Sequence, residues 1–361
     1  MKKIYLILSI FVIFILLSPF IGNQLIEDIL NQKIKELSSQ NLILEKSVTH
    51  SSYLTTKKEF QFLYKESNQE ILIGTDIQYS NLLFNKMVSI DIYPISFSKK
   101  RIKDKSLLVH LEYDVTTQNF IGHIKDVAQH YSLKNSIELS FTVLNATFKG
   151  KGKLDNPDFF HSKIEKFAVT VEENSQKIVL DIDNLLSSIK HNNATIKREV
   201  SAKNSFDSLA FTIDSNKFQC KDFNYSVTFD ELDKESLVAL QQSVQNDSDS
   251  IEKSLLQLAS QGIHFSIDNF SVKDVIVKNR KLGGLALQSE MIVTKSDNFK
   301  LSDLSTEIQL QLSKKIFKQI AKSYPMVYLM QFYAKRVGED YLFEIIFKDE
   351  KLKINGKGLS L

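Results

Sequence analysis

Tryptophan is absent from this chain of 361 residues, and cysteine occurs once, at Cys220. A lone cysteine leaves no intramolecular disulfide, so stability must come from a buried core and not from covalent staples. Cys220 has no histidine near it in sequence and reads as a small hydrophobe, not a nucleophile. Four prolines and eleven glycines leave little room for Pro-rich linkers, collagen-like repeats or Gly-rich phosphate loops. Charge of neither sign dominates, with 46 Lys+Arg against 43 Asp+Glu and a net +3, so nucleic acid is not an expected partner. Catalytic motifs are missing too. There is no Gly-x-Ser-x-Gly and no His-Glu-x-x-His, and no Ser-x-x-Lys stands in a catalytic setting.

What is present begins at the N-terminus. Residues 4–21 form an apolar run of 18, interrupted only by Tyr5, Ser9, Ser18 and Pro19 and preceded by Lys2 and Lys3. As a helix this run rises about 27 Å, close to the hydrocarbon thickness of a bilayer. The two lysines place the N-terminus in the cytoplasm. The reading is an uncleaved anchor of a bacterial inner-membrane, single-pass protein with the bulk of the chain periplasmic. A cleaved signal peptide is the alternative, although no small-x-small site follows. Residues 22–40 continue as an amphipathic helix, with Ile26, Ile29, Leu30, Ile34 and Leu37 at three-to-four spacing. Its stripe suits either the protein's own body or a partner helix.

Beyond residue 40 the pattern is strand-rich. Residues 41–200 are expected to form an N-terminal half and 201–361 a C-terminal half with helices near 234–260 and 313–337, the second broken at Pro325. Short helices are also expected over 118–131 and 181–191. The fold class is then α+β: mainly antiparallel sheet with packed helices, preceded by one transmembrane helix.

Polar constellations are sparse. His110, Glu112 and Asp114 alternate on one strand face, a row that a solvated face produces as readily as a metal site. His123 and His130 are seven apart, which would align them on a helix, but no third ligand accompanies them. Asp247 and Asp249 alternate as in a calcium loop whose glycine and distal glutamate are missing. The remaining histidines, His50, His161, His191 and His264, are scattered. No catalytic, cofactor or metal residues are assigned. Asp222-Phe223-Asn224-Tyr225-Ser226 fits a bacterial N-glycosylation acceptor at Asn224, though within a strand.

Three stretches resemble one family. They are the basic-apolar opening with its amphipathic continuation, Tyr225 to Leu237 running from strand through Asp230 into a helix, and the ending from Val337-Gly338-Glu339-Asp340-Tyr341 to Leu361. Together they are similar to the YdgA-like bacterial inner-membrane proteins, a domain of unknown function. The resemblance implies an anchored periplasmic protein and carries over no catalytic residue. The function expected is non-enzymatic: a membrane-anchored binding or envelope-maintenance module, with lipid in an apolar sheet groove or an envelope protein as partner. The alternatives are an assembly protein acting through the 22–40 helix, or an envelope hydrolase.

Overall fold

The computed structural model describes residues 26, 27, 30, 32, 42–66, 69–82, 86–97, 100–101, 108–132, 137–154, 156–173, 176–192, 197–214, 216–245, 251–296 and 300–359. The chain divides into two units, Met1–Val127 with Val143–Leu154, and Ala128–Thr142 with Asp155–Leu361.

The first unit is an antiparallel ladder. Its strands are β1 (Leu42–Ser51), β2 (Thr55–Glu66), β3 (Gln69–Ser80), β4 (Met87–Phe97), the two-residue β5 (Lys100–Arg101), β6 (Val109–Asp114) and β7 (Asn119–Ile124). Next in the chain come β8 (Val127–Ser132), β9 (Ile137–Leu144) and β10 (Ala146–Lys153). The pairing runs β1–β2–β3–β4–β6–β7–β10, with β5 beside the end of β4. Alternation puts Phe60, Phe62, Ile77, Tyr79 and Val88 on one face, where they form a buried cluster. Helical residues Ile26 and Leu30 close that cluster, and Glu27 meets the buried Lys58 ammonium at 3.1 Å. The apolar stripe of the 22–40 segment is thus used, at Ile26 and Leu30, on the protein's own body. Gly122 is required where the Phe148 ring lies across β7: an added Cβ would stand 2.3 Å from that ring and 2.5 Å from the His110 carbonyl oxygen.

The second unit is built on long strands: β11 (Asn156–Glu173), β12 (Gln176–Asn192), β13 (Lys197–Ile213) and β14 (Asn216–Asp233). Two helices interrupt them, α1 (Lys234–Gln245) and α2 (Ile251–Ser260). The Asp233 carboxylate caps α1 by accepting from the Ser236 N–H at 2.9 Å. The strands resume with β15 (Ile263–Val277), β16 (Arg280–Val293) and β17 (Leu304–Ser313). Helices α3 (Lys314–Ser323) and α4 (Val327–Met330) follow, then β18 (Lys335–Val337), β19 (Asp340–Lys348), β20 (Lys351–Ile354) and β21 (Lys357–Leu359). Among the described residues, the pairing from β11 through β17 to β19, β20 and β21 is antiparallel and between neighbours in this order. Strand β9 lies along the other side of β11. Ser313 caps α3, its Oγ accepting from the Ile316 N–H at 3.2 Å. The helix buries Ile316, Phe317 and Ala321 against Leu312, Tyr341, Phe343 and Ile354. This is the main core of the unit.

The α+β expectation is corrected by this architecture, which is mostly antiparallel sheet. The helices expected near 234–260 and 313–337 form, but those over 118–131 and 181–191 do not. Residues 119–124 and 127–132 are strands β7 and β8, and 181–191 lies inside β12. Long strands satisfy each backbone group by pairing with a neighbour, so a long meander needs few helices to complete it. The single-pass inner-membrane placement is corrected as well. Among the described residues no helix is long and apolar enough to cross a membrane. Residues 4–21, on which that placement rested, lie outside the described residues.

Candidate binding face

Apolar residues two apart share a strand face, and those three apart do not. In β11 to β15 the apolar positions step by three at one shared level, Ile164/Phe167, Ile182/Leu185, Phe206/Leu209, Cys220/Phe223 and Val272/Val275, and β15 steps a second time at Ile267/Phe270. A regular sheet would place the two halves of each strand's apolar set on opposite faces. The structure keeps them together. At the level of the step the pairing skips Glu165, Asn184, Asp207, Asp222 and Lys273, which form a row crossing five strands. Asn184 and Asp222 adopt left-handed backbone, with φ of 54° and 49°. Their short polar side chains tolerate that region better than most. In β15 the step is a bulge: the register against β16 shifts between Val272 and Val275. Gly284 makes room for it, since a Cβ there would stand 2.6 Å from the Val272 and Lys273 carbonyl oxygens.

The face follows from register. Val272 is opposite Leu285, while Val275 is opposite Gly283, and Leu285 and Val275 both pack against the α3 core. Cross-strand partners share a face. Phe223 opposite Val272 and Cys220 opposite Val275 therefore lie on that face too, as do Phe206 opposite Phe223 and Leu209 opposite Cys220. The row continues through Ile182 opposite Leu209 to Phe167 opposite Ile182. One apolar face runs across the unit, with Phe206, Phe223 and Phe270 in ring contact at 4.6 and 5.5 Å.

The described helices pack against β14, β16, β17 and β19. The far ends of β12 to β14 are left open, and Phe211, Phe218, Ile178 and Ile213 are 37 to 43% exposed. Cys220 sits within this face as a free thiol whose pKa is raised by burial, consistent with an inert apolar role.

The opposite face is polar. Lys166 bridges Asp181 at 2.5 Å and Asp183 at 2.7 Å, and the Ser208 hydroxyl donates to Asp183 at 2.6 Å. The hydrogen bonds from Lys166 and Ser208 hold the Asp183 carboxyl below its usual range. Farther along, a trough of about 750 Å³ is lined by Thr228, Asp230, His264, Asp268, Glu290, Glu307 and Glu344. His264 sits between Asp230 at 3.4 Å and Glu290 at 2.8 Å.

The other histidines are placed as follows. His110 and His123 come from neighbouring strands, with ring centroids 5.2 Å apart, and the His110 Nδ1 meets Asp91 at 2.7 Å. Sequence spacing had paired His123 with His130 on a helix; His130 instead lies on β8, where its Nδ1 is 3.0 Å from the Ser140 hydroxyl. That serine–histidine pair is exposed, and no carboxylate is bonded to the histidine among the described residues. Nor does any group of three His, Cys, Asp or Glu among them have the geometry to hold a metal ion. Asn224 is exposed but in the centre of the sheet, opposite Ser205 and Ser271. Asp247 and Asp249 lie outside the described residues. Sequence reasoning missed the continuous face; its signal was the three-residue step repeated in five strands.

No known protein family, curated protein or solved structure matches this chain.

Proposed function

We propose that the second unit is a non-catalytic binding module that takes the acyl chain of a lipid along the apolar face of β11 to β15. The observation that carries this reading is the open part of that face, where Ile178, Phe211, Ile213 and Phe218 keep more than a third of their surface in water. A contiguous apolar patch of this kind is costly to leave solvated and marks a binding surface. The five-strand step supports it, because the polar row at Asn184 and Asp222 keeps the apolar residues before and after the step on one side.

The test is extraction of the purified chain with organic solvent and mass spectrometry of what it carried, followed by titration with a fluorescent fatty acid. Stoichiometric acyl lipid, and saturable uptake weakened at least tenfold in Phe211→Glu with an unchanged melting curve, is the expected result. A lipid-free protein that takes up no fatty acid overturns the reading.

A further inference from the structure

A second apolar surface lies beyond α3. Around and across the short helix α4, from Tyr324 to Ala334, backbone bonds of the i to i+3 kind recur: Val327 to Tyr324, Tyr328 to Pro325, Leu329 to Met326, Gln331 to Tyr328, Phe332 to Leu329, Tyr333 to Met330 and Ala334 to Gln331. With three residues per turn, side chains three apart stack into ridges. One ridge, Val327, Met330 and Tyr333, packs on the α3 core. The next, Met326, Leu329 and Phe332, is turned to solvent at 76%, 53% and 77% exposure, flanked by Tyr324 at 68%. Packing accounts for the first ridge, and no described residue covers the second.

The stretch that carries this ridge is basic. Residues 314–336 hold six Lys or Arg and no Asp or Glu, in a chain whose net charge is only +3. Lys318 and Lys322 are on the exposed side of α3, and Arg336 follows the ridge. The Lys357 ammonium donates to the Phe332 carbonyl at 3.3 Å. Lys335 is spoken for by Glu344 at 2.6 Å.

We propose that the Met326–Leu329–Phe332 ridge and its cationic rim form a docking surface for an anionic lipid bilayer. The ridge inserts at the headgroup level, Tyr324 sits at the boundary, and the lysines meet phosphate. Charge favours one occupant: Lys318, Lys322 and Arg336 are exposed along the same stretch and Lys357 reaches the Phe332 carbonyl, cations that suit anionic headgroups and that an apolar protein groove would not need. The surface is separate from the acyl-chain face and does not rest on that reading.

The absence of tryptophan supplies the assay. Phe332→Trp places the chain's single tryptophan on the ridge, and Gln309→Trp places it on the polar face as a control. Each full-length variant is mixed with vesicles of phosphatidylcholine, plain or with phosphatidylglycerol, some carrying brominated acyl chains. The expected result is a blue shift and bromine quenching for Phe332→Trp with phosphatidylglycerol vesicles, little with phosphatidylcholine alone, and none for Gln309→Trp. Adding Lys318→Gln and Lys322→Gln should raise the lipid needed by roughly 30-fold, at about a fivefold factor per charge. Phe332→Trp left unquenched by the phosphatidylglycerol vesicles overturns the proposal. Equal quenching on both vesicles, or at position 309, also overturns it, since the rim or the ridge would then be irrelevant. Phe211→Glu in the Phe332→Trp background keeps the quenching, which separates this proposal from the acyl-chain reading.

Discussion

Asp222 is the position at which the reasoning about the apolar face is most exposed to experiment. Its φ of 49° lies in the left-handed region, which costs an ordinary L-residue roughly 1–2 kcal/mol and a β-branched one more. Asp222→Val should therefore lower stability by about 2 kcal/mol, nearly all of it backbone strain. Asp222→Gly removes the same carboxylate, and with it the contact to the exposed Lys273 at 3.1 Å, yet relieves the strain. It should stay within about 1 kcal/mol of the parent, the usual entropic cost of glycine in a strand. Urea denaturation followed by circular dichroism, with the slope of the transition unchanged, reads both. If the valine escapes its strain by adopting regular extended backbone, Cys220 and Phe223 part to opposite faces and fatty-acid uptake falls with stability. A glycine variant as unstable as the valine one, or a valine variant as stable as the parent, would refute the claim that left-handed backbone keeps the face continuous.

Other outcomes follow from the packing. Phe317→Ala, at 2% exposure in the α3 core, should cost about 3–5 kcal/mol in the same denaturation assay. Glu27→Gln should destabilise by roughly 1–3 kcal/mol, because it strands the buried Lys58 ammonium, whereas Lys58→Met should be close to neutral; equal losses in the two variants would contradict this. Burial, with the nearby Glu27 carboxylate, pushes the Tyr79 phenol up to about 12 from its ordinary 10. A raised pKa means the folded state holds the proton longer. The associated stability is complete below pH 10 and lost as pH rises toward 12, which alkaline denaturation compared with Tyr79→Phe checks. Asp233→Ala removes the α1 cap and should cost about 0.5–2 kcal/mol, read as earlier amide exchange in residues 234–245.

Much of this fold was legible before the structure. Alternation predicted strands wherever apolar residues recurred at spacing two, and the helical stretches near 234–260 and 313–337 were also expected from the sequence. Local chemistry sufficed there because each element is specified by its own side chains and caps. The helix expected over 181–191 shows where local chemistry failed. Ile182, Leu185, Leu186 and Ile189 are spaced as on an amphipathic helix, and β12 carries that same spacing as an extended strand. A single left-handed residue, Asn184, slips the alternation by one, so the two conformations write nearly the same apolar pattern.

The sequence by itself determined which residues are apolar, that the chain is strand-rich and disulfide-free, and that no catalytic motif is present. Only tertiary structure decided which apolar residues share a face. That depends on strand register, and a step of three in one strand becomes interpretable only beside the same step in four neighbours. It also decided which apolar ridge after Pro325 is buried and which meets water. Val327 and Met326 are adjacent and alike in chemistry, and the core on one side of the turns alone distinguishes them.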